Sequence, residues 1–309
     1  MAIDILCMGE PMLEFNQLPP DADGRVLFLQ GHGGDTSNAA IAAARQGARS
    51  GYITAIGQDA AGDSFMELWR AEGVDTSTVI RSAEAPTAVY FVTHDAQGHH
   101  FTFYRAGSAA SRYAPRDVPE AAIAEARILY GSGISQAIST SAADAVFHAI
   151  AIARRHGVKV AYDTNLRLRL WPPARAKAII EAAIGQADMA FPSREDAEAM
   201  TGLSDEDAIA DYYLGLGCPL VAVKCGADGA LLATAEGVRV RAKPHAVTAV
   251  DATGAGDTFC GAFMARTVLG DPPAEALRYA NAAAALSTTG YGAVAPIPRE
   301  AEVRALLRA

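Results

Sequence analysis

Asp251-Ala252-Thr253-Gly254-Ala255-Gly256-Asp257-Thr258-Phe259 is the stretch on which the reading of this chain turns. Two glycines flank Ala255. An acid and an apolar, helix-like run (Phe259, Cys260, Ala262, Phe263, Met264) follow at once. Small residues let successive N–H groups turn toward one point at a helix N-terminus, where the peptide dipoles favour an anion. A carboxylate inside such a site would repel a passively bound phosphate. It has a role if Asp257 takes the proton of a hydroxyl that attacks phosphorus, while the amides of Gly254, Ala255 and Gly256 hold the developing charge. The bland alternative is a Gly-rich turn in which Asp257 only caps the helix.

Upstream, short apolar runs alternate with helical stretches. Ile5 to Gly9, Tyr52 to Ile56, Ile128 to Gly131, Val158 to Asp163, Met189 to Phe191 and Leu220 to Cys225 read as strands. A helix follows Gly33-Gly34, with Asp35, Thr36 or Ser37 as its cap and Gly47 as its stop. Further helices are expected after Tyr52 to Ile56, ending at Gly73, and near 139–156, 174–186 and 205–217. This alternation predicts a mostly parallel sheet with helices on both faces, and polar residues gathered along one crevice at the strands' C-terminal ends. Asp163, Asn165 and Lys224 fit that description.

One segment departs from the pattern. Thr87 to His94 and His99 to Arg105 are β-rich and joined by Asp95-Ala96-Gln97-Gly98, a good hairpin turn. With an extended strand near Val26 to Gln30 they predict a small β lid, drawn from about 10–35 and 86–106, over the crevice. An isolated small sheet with aromatic faces needs a cover, so a homodimer through the lid is expected. His94, His99 and His100 cluster on the lid turn, where a solvated turn is preferred to a metal site.

Composition narrows the partners. Lys plus Arg number 26 against 35 acids in 309 residues, a net charge of −9, which argues against nucleic acid or an anionic membrane. Cys7, Cys218, Cys225 and Cys260 show no C-x-x-C spacing and sit among apolar neighbours, as reduced thiols of a cytoplasmic protein do. Asp4 and Glu10 interrupt the N-terminus where a signal peptide needs an apolar core. The uncharged stretch 279–298 holds two prolines and two glycines and is not read as a membrane span. No G-x-G-x-x-G follows the first strand, which sets aside a dinucleotide-dependent oxidoreductase.

The 251–259 run resembles the C-terminal signature of the ribokinase-like carbohydrate kinases, the phosphofructokinase-B family. Gly33-Gly34-Asp35-Thr36-Ser37-Asn38-Ala39-Ala40 is similar to its sugar-binding signature, and Val223-Lys224-Cys225-Gly226-Ala227-Asp228-Gly229 to its nucleotide-side strand and turn. The resemblance spans the chain. It implies one α/β domain over 1–309, a three-layer α/β/α sandwich with a mostly parallel central sheet and the small β lid. It also implies phosphoryl transfer from ATP with Mg²⁺, and admits a monovalent cation such as K⁺. Phe103-Tyr104-Arg105-Ala106-Gly107-Ser108-Ala109-Ala110 and Tyr162-Asp163-Thr164-Asn165-Leu166-Arg167 are similar to 2-keto-3-deoxygluconate kinases within that family.

On this reading Asp257 is the general base and Gly254, Ala255 and Gly256 cradle the phosphoryl group. Gly34, Asp35 and Asn38 bind sugar hydroxyls. Tyr90, Tyr104, Arg105 and Arg167 complete the substrate site, since a guanidinium fork matches a sugar carboxylate. Tyr104 and Arg105 face opposite sides of a regular strand, so a bend at Ala106-Gly107 must reorient one of them. Asn165, Ser193, Lys224, Gly226 and Gly229 serve ATP. Ser193-Arg194-Glu195-Asp196 departs from the family's usual Asn-x-x-Glu, which leaves the metal ligands unassigned. The rival readings are a fructokinase, ribokinase or other keto-sugar kinase, and a catalytically silent sugar-binding protein.

Overall fold

The computed structural model describes residues 3–95 and 98–308, so Ala96 and Gln97 of the expected hairpin turn lie outside the described residues. A nine-stranded sheet is built from β1 (Ile5–Met8), β4 (Ser50–Gly57), β5 (Val79–Ser82), β8 (Ile128–Ser132), β9 (Lys159–Asp163), β10 (Met189–Phe191), β11 (Leu220–Lys224), β12 (Ala230–Thr234) and β13 (Arg239–Ala242). Its order is β13-β12-β11-β10-β9-β8-β1-β4-β5. The strands from β5 to β11 run parallel, and β12 and β13 close one edge antiparallel. A separate four-stranded sheet, in the order β3-β2-β6-β7, comprises β2 (Met12–Leu18), β3 (Leu27–Gly33), β6 (Ala88–Asp95) and β7 (Gly98–Tyr104).

The helices are α1 (Asp35–Arg45), α2 (Ala60–Ala71), α3 (Glu120–Glu125), α4 (Gly133–Ala137), α5 (Thr140–Arg155), α6 (Pro173–Ile184), α7 (Arg194–Thr201), α8 (Glu206–Gly215), α9 (Ala255–Val268), α10 (Pro273–Ser287) and α11 (Glu300–Leu306). Alternate residues of each central strand face opposite cores. Ile5, Cys7, Tyr130 and Phe191 point to a core shared with α1, α2, α9, α10 and α11. Leu6, Leu129, Val160 and Ala190 point to one shared with α3, α5, α6 and α8. The three-layer sandwich with a lid is therefore present, and the near-continuous apolar runs in its strands follow from burial on both faces.

Two glycines permit close backbone contacts around α1. A Cβ on Gly261 of α9 would lie 2.4 Å from the Ala39 carbonyl oxygen and 2.7 Å from Ala42 Cβ of α1. The two helices thus pack backbone to backbone. Gly34 takes φ 110° and caps α1 without a side-chain hydrogen bond; a Cβ there would sit 2.6 Å from the Glu10 carbonyl oxygen. The expected cap at Asp35, Thr36 or Ser37 is thus replaced by a glycine at close quarters, which frees the Asp35 carboxylate for other contacts.

The lid has two distinct faces, because its register pairs Tyr90 with Phe103 and Val89 with Tyr104. Met12, Ala88, Tyr90 and Val92 form a small buried cluster on one face. On the other, Phe91 stacks on Phe15 at 5.2 Å and meets Phe28 and Tyr104 edge-on. That second face is anchored at its base, where Gln30 and His32 hydrogen-bond Ser64 of α2.

Candidate active site

Asp257 lies in the first turn of α9, whose N-cap Gly254 takes φ 76°. A Cβ on Gly254 would lie 2.9 Å from the Ala293 carbonyl oxygen, so this turn accepts no larger residue without strain. Asp251 ties the approach together. It accepts from Thr253 N and Oγ1 with one oxygen and from Gly292 N with the other. The cradle is thus held by the loop 290–293 on one side and α1 on the other.

Asp257 is buried and accepts a 2.8 Å hydrogen bond from Asn38 Nδ2. Burial, reinforced by the nearby charge of Asp35, pushes its carboxyl up to about 7 against the pull of Asn38. A base with that value is half ionised near neutral pH and has the driving force to take a hydroxyl proton. Activity should therefore rise with pH through about 7. Asn38→Ala removes a donor that favours the ionised form, so the acid limb of the pH–rate profile is expected to move up by about one unit. An unmoved limb would deny the hydrogen bond that role.

Asp35 faces the same crevice. Its Oδ2 accepts from Ser132 Oγ at 2.5 Å and from Asn165 Nδ2 at 2.8 Å. Asn165 takes φ 30°, a left-handed conformation that Asn tolerates better than most residues, and this aims its amide at Asp35. Asn165, expected among the nucleotide residues, thus contacts Asp35, the acid expected to bind the sugar. Asp35 Oδ1, Asn38 Oδ1 and Arg105 Nε are buried without hydrogen-bond partners. Three such atoms around one crevice suit a ligand rich in hydroxyl groups.

Lys224 lies beneath the cradle, its Nζ 3.4 Å from where a Cβ on Gly256 would sit. Both Asp163 oxygens accept from it at 2.7 Å. Burial opposes the charge on Lys224, but Asp163 outweighs it and the ammonium is held well above its ordinary range. Burial likewise pushes the Asp163 carboxyl up, against the pull of Lys224. The nucleotide-side expectation for Lys224 thus meets a buried ion pair, with Cys260 Sγ 3.5 Å from Asp163.

Gly226 and Gly229 bound a short turn after β11, at φ 59° and 98°. A Cβ on Gly229 would lie 2.1 Å from the Ala242 carbonyl oxygen, so β13 is one reason for that glycine. Ser193 caps α7 by accepting from Asp196 N. Asp196 in turn accepts from Thr164 Oγ1 and Leu166 N and fixes the loop after β9. Among the described residues no three His, Cys, Asp or Glu side chains gather as a metal site. On the lid, His100 pairs with Asp95 and His94 with Asn16.

The substrate-side aromatics separate. Tyr90 hydrogen-bonds Glu14, lies against Gly33, and feels the charges of Asp251 and Asp257, so it faces the crevice. Tyr104 is 63% exposed on the opposite face, and Phe103 stacks with Tyr90 at 5.6 Å in its stead. Strand alternation is the cause. The same alternation puts Arg105 on the face of Phe103, where it meets Glu10; the bend expected at Ala106-Gly107 is present, with Gly107 at φ 77°, but it does not bring Tyr104 to that face. Arg167 stays exposed, donating to its neighbour's carbonyl at Leu166. Glu10, Glu14, Phe103 and Ser132 carry no expected site role in the sequence reading. An acid immediately after a fully apolar strand was the available signal for Glu10.

A buried carboxylate in the first turn of a glycine-capped helix, beside a buried acid–amide cluster under a β lid, suits a phosphotransferase that acts on a hydroxyl group. The pfkB family carbohydrate kinase model matches residues 4–300, and the chain belongs to that family. It is 34% identical over 313 residues to 2-dehydro-3-deoxygluconokinase of Thermoproteus tenax, covering 97% of this chain and 93% of the relative. It is 32% identical to the 2-dehydro-3-deoxygluconokinase of Bacillus subtilis, covering 100% and 97%, and 32% identical to fructokinase-2 of Solanum habrochaites, covering 98% and 96%. Among solved structures, a PfkB protein from Polaromonas sp. JS666 superposes with a TM-score of 0.87 at 30% identity, covering 98% and 100%. A fructokinase from Xylella fastidiosa with bound ATP gives 0.89 at 26%, covering 99% and 98%. The chain is a carbohydrate kinase.

Proposed function

We propose that the chain phosphorylates 2-keto-3-deoxygluconate, also called 2-dehydro-3-deoxygluconate, to its 6-phosphate with ATP as donor. The observation that carries this reading is Arg105, turned inward at the root of the lid with an unpartnered buried Nε and held against Glu10, whose backbone carbonyl abuts the glycine turn that leads into Asp35. A neutral sugar has no need of that guanidinium, whereas a sugar carboxylate does. The two 2-dehydro-3-deoxygluconokinase relatives support it.

In the proposed reaction Asp35, Asn38 and Asn165 orient the sugar under Tyr90. Asp257 takes the proton of the terminal hydroxyl as its oxygen bonds to the γ-phosphorus. The bond from that phosphorus to the bridging oxygen breaks and ADP leaves. Amides at Gly254, Ala255 and Gly256 and the ammonium of Lys224 stabilise the charge on the moving phosphoryl group. Gly226, Gly229 and Ser193 border the nucleotide. The donor set suits Mg²⁺ carried by the nucleotide rather than caged by protein, with the exposed Glu195 beside Gly226 as the nearest acid there. When bound, that ion offsets phosphate charge. A monovalent cation such as K⁺ belongs to the same proposal, at the loops joined by Asp251 and Gly292.

We further propose that the chain acts as one kinase unit in the cytoplasm, paired with a second copy through the lid. No helix among the described residues is long and apolar enough to cross a membrane. The lid's exposed Leu27, Leu29, Phe101, Phe103 and Tyr104 support the pairing. A second reading, a kinase for neutral keto sugars, is favoured by Glu10 beside Arg105 and by the fructokinase relatives. Initial rates with Mg·ATP on 2-keto-3-deoxygluconate, 2-keto-gluconate, fructose and ribose separate the two. The keto acids are expected to lead, and a lead by fructose or ribose would replace the first reading with the second.

A further inference from the structure

We propose that Glu10 is a specificity-determining residue: as the buried counter-ion of Arg105, it sets how strongly the sugar crevice favours a carboxylate over a neutral sugar. The inference builds on the sugar-acid reading of Arg105 given above.

The placement is specific. The Glu10 side chain is 0% exposed and that of Arg105 15%, with 2.5 Å between Oε2 and a terminal guanidinium nitrogen. The contact is a close charge pair without hydrogen-bond alignment. Oε1 of Glu10 accepts from Ser108 Oγ at 2.8 Å, and that hydroxyl is itself placed by Ser111 N at 3.2 Å. Burial raises the Glu10 carboxyl, while Arg105 and Ser108 pull it back toward the charged form; Asp35 acts with the burial. The Glu10 backbone carbonyl lies directly against Gly34. The pair therefore stands next to the sugar-binding turn and links the end of β1 to the end of lid strand β7.

Charge accounting follows from this placement. Asp35 and Asp257 already make the crevice negative, and Glu14 adds to this from the lid beside Tyr90. Arg105 is the cation that turns inward at the lid root, and its field is largely cancelled by the carboxylate at 2.5 Å. A carboxylate on the sugar thus gains chiefly the directed hydrogen bonds of the fork. Removing the charge of Glu10 while keeping its shape would expose a full positive charge at short range. At the effective dielectric of a partly buried site, such a change is worth about a tenfold effect on anion binding. A staple with no electrostatic role would instead weaken acid and neutral sugars alike.

2-Keto-gluconate and fructose form a matched pair, since they differ in having a carboxylate or a hydroxymethyl group at C1. Their dissociation constants, measured calorimetrically on the full chain without nucleotide, give a selectivity ratio. Glu10→Gln is expected to shift that ratio toward the acid by about tenfold. The same substitution placed on Arg105→Gln is expected to shift it by less than about twofold, because the cation it unmasks is gone. Ser108→Ala, which removes a donor to the carboxylate and only a hydroxyl from the fold, is expected to shift the ratio in the same direction by less. It serves as the test if Glu10→Gln does not fold. An unchanged ratio in the folded variants, or an equal shift with and without Arg105, overturns the proposal. The wild-type ratio speaks separately to the sugar-acid reading: a preference for fructose would remove that reading and leave the Glu10 comparison fully readable.

Discussion

Asp257→Asn is expected to lower kcat by about 10²- to 10⁴-fold while the sugar still binds. Asparagine keeps the side chain's shape in the first turn of α9 and takes away only its capacity to accept a proton. The turn itself rests on Gly254 and on the Asp251–Gly292 tie, neither of which involves Asp257. The variant should also melt no lower than the wild type. The native carboxyl is pushed up to about 7 chiefly by burial, so a neutral side chain relieves a desolvation cost. Single-turnover phosphorylation beside a thermal melt checks both halves. A kcat within about threefold of wild type would show that the substrate hydroxyl needs no base from this chain.

Lys224→Met is expected to cost about 3–5 kcal/mol of stability, because it leaves Asp163 buried without its counter-ion. The Asp163 side chain is 1% exposed and both its oxygens are occupied by that ammonium. The Asn165 backbone amide at 3.3 Å and the Cys260 thiol at 3.5 Å offer only weak compensation. Adding Asp163→Leu should recover most of the loss, since an apolar pair of similar volume carries no desolvation penalty. Activity should not recover with it if Lys224 charges the phosphate cradle. Denaturant unfolding and kcat measured on the single and double variants keep the two roles apart. Recovery of both together would reduce Lys224 to a structural partner of Asp163.

What the sequence made legible was local. Asp257 and its glycines are contiguous, and Asp35 and Asn38 lie one turn apart on α1, so spacing alone brings each set together. Arg105 could be placed because it shares a strand face with Phe101 and Phe103. That Asp163, Asn165 and Lys224 share one crevice was legible from their places at strand ends, but which side chain pairs with which was not. Asp163 with Lys224, Asp35 with Ser132 and Asn165, and Glu10 with Ser108 and Arg105 all join residues from distant elements. Nothing in any one segment encodes its partner's position. Tyr104 and Phe103 show the same limit on a smaller scale, since a single step of register decides which aromatic ring meets Tyr90. The antiparallel edge strands β12 and β13 were missed because Gly229 reads as a loop signal, whereas its close approach to Ala242 is what lets β13 pack.

The contact at Gly261 has an evolutionary side. Because α1 and α9 meet there backbone to backbone, the residues proposed to hold the sugar's hydroxyls and the residue proposed to deprotonate one of them sit on two helices locked to each other. The groups that would distinguish one sugar from another, Tyr90, Phe103 and Arg105, sit on or beside the lid instead. Descent can therefore retune the lid residue by residue without disturbing the reaction centre. Sugar-acid and fructose kinases with almost equal kinship to this chain are what such a separation would produce.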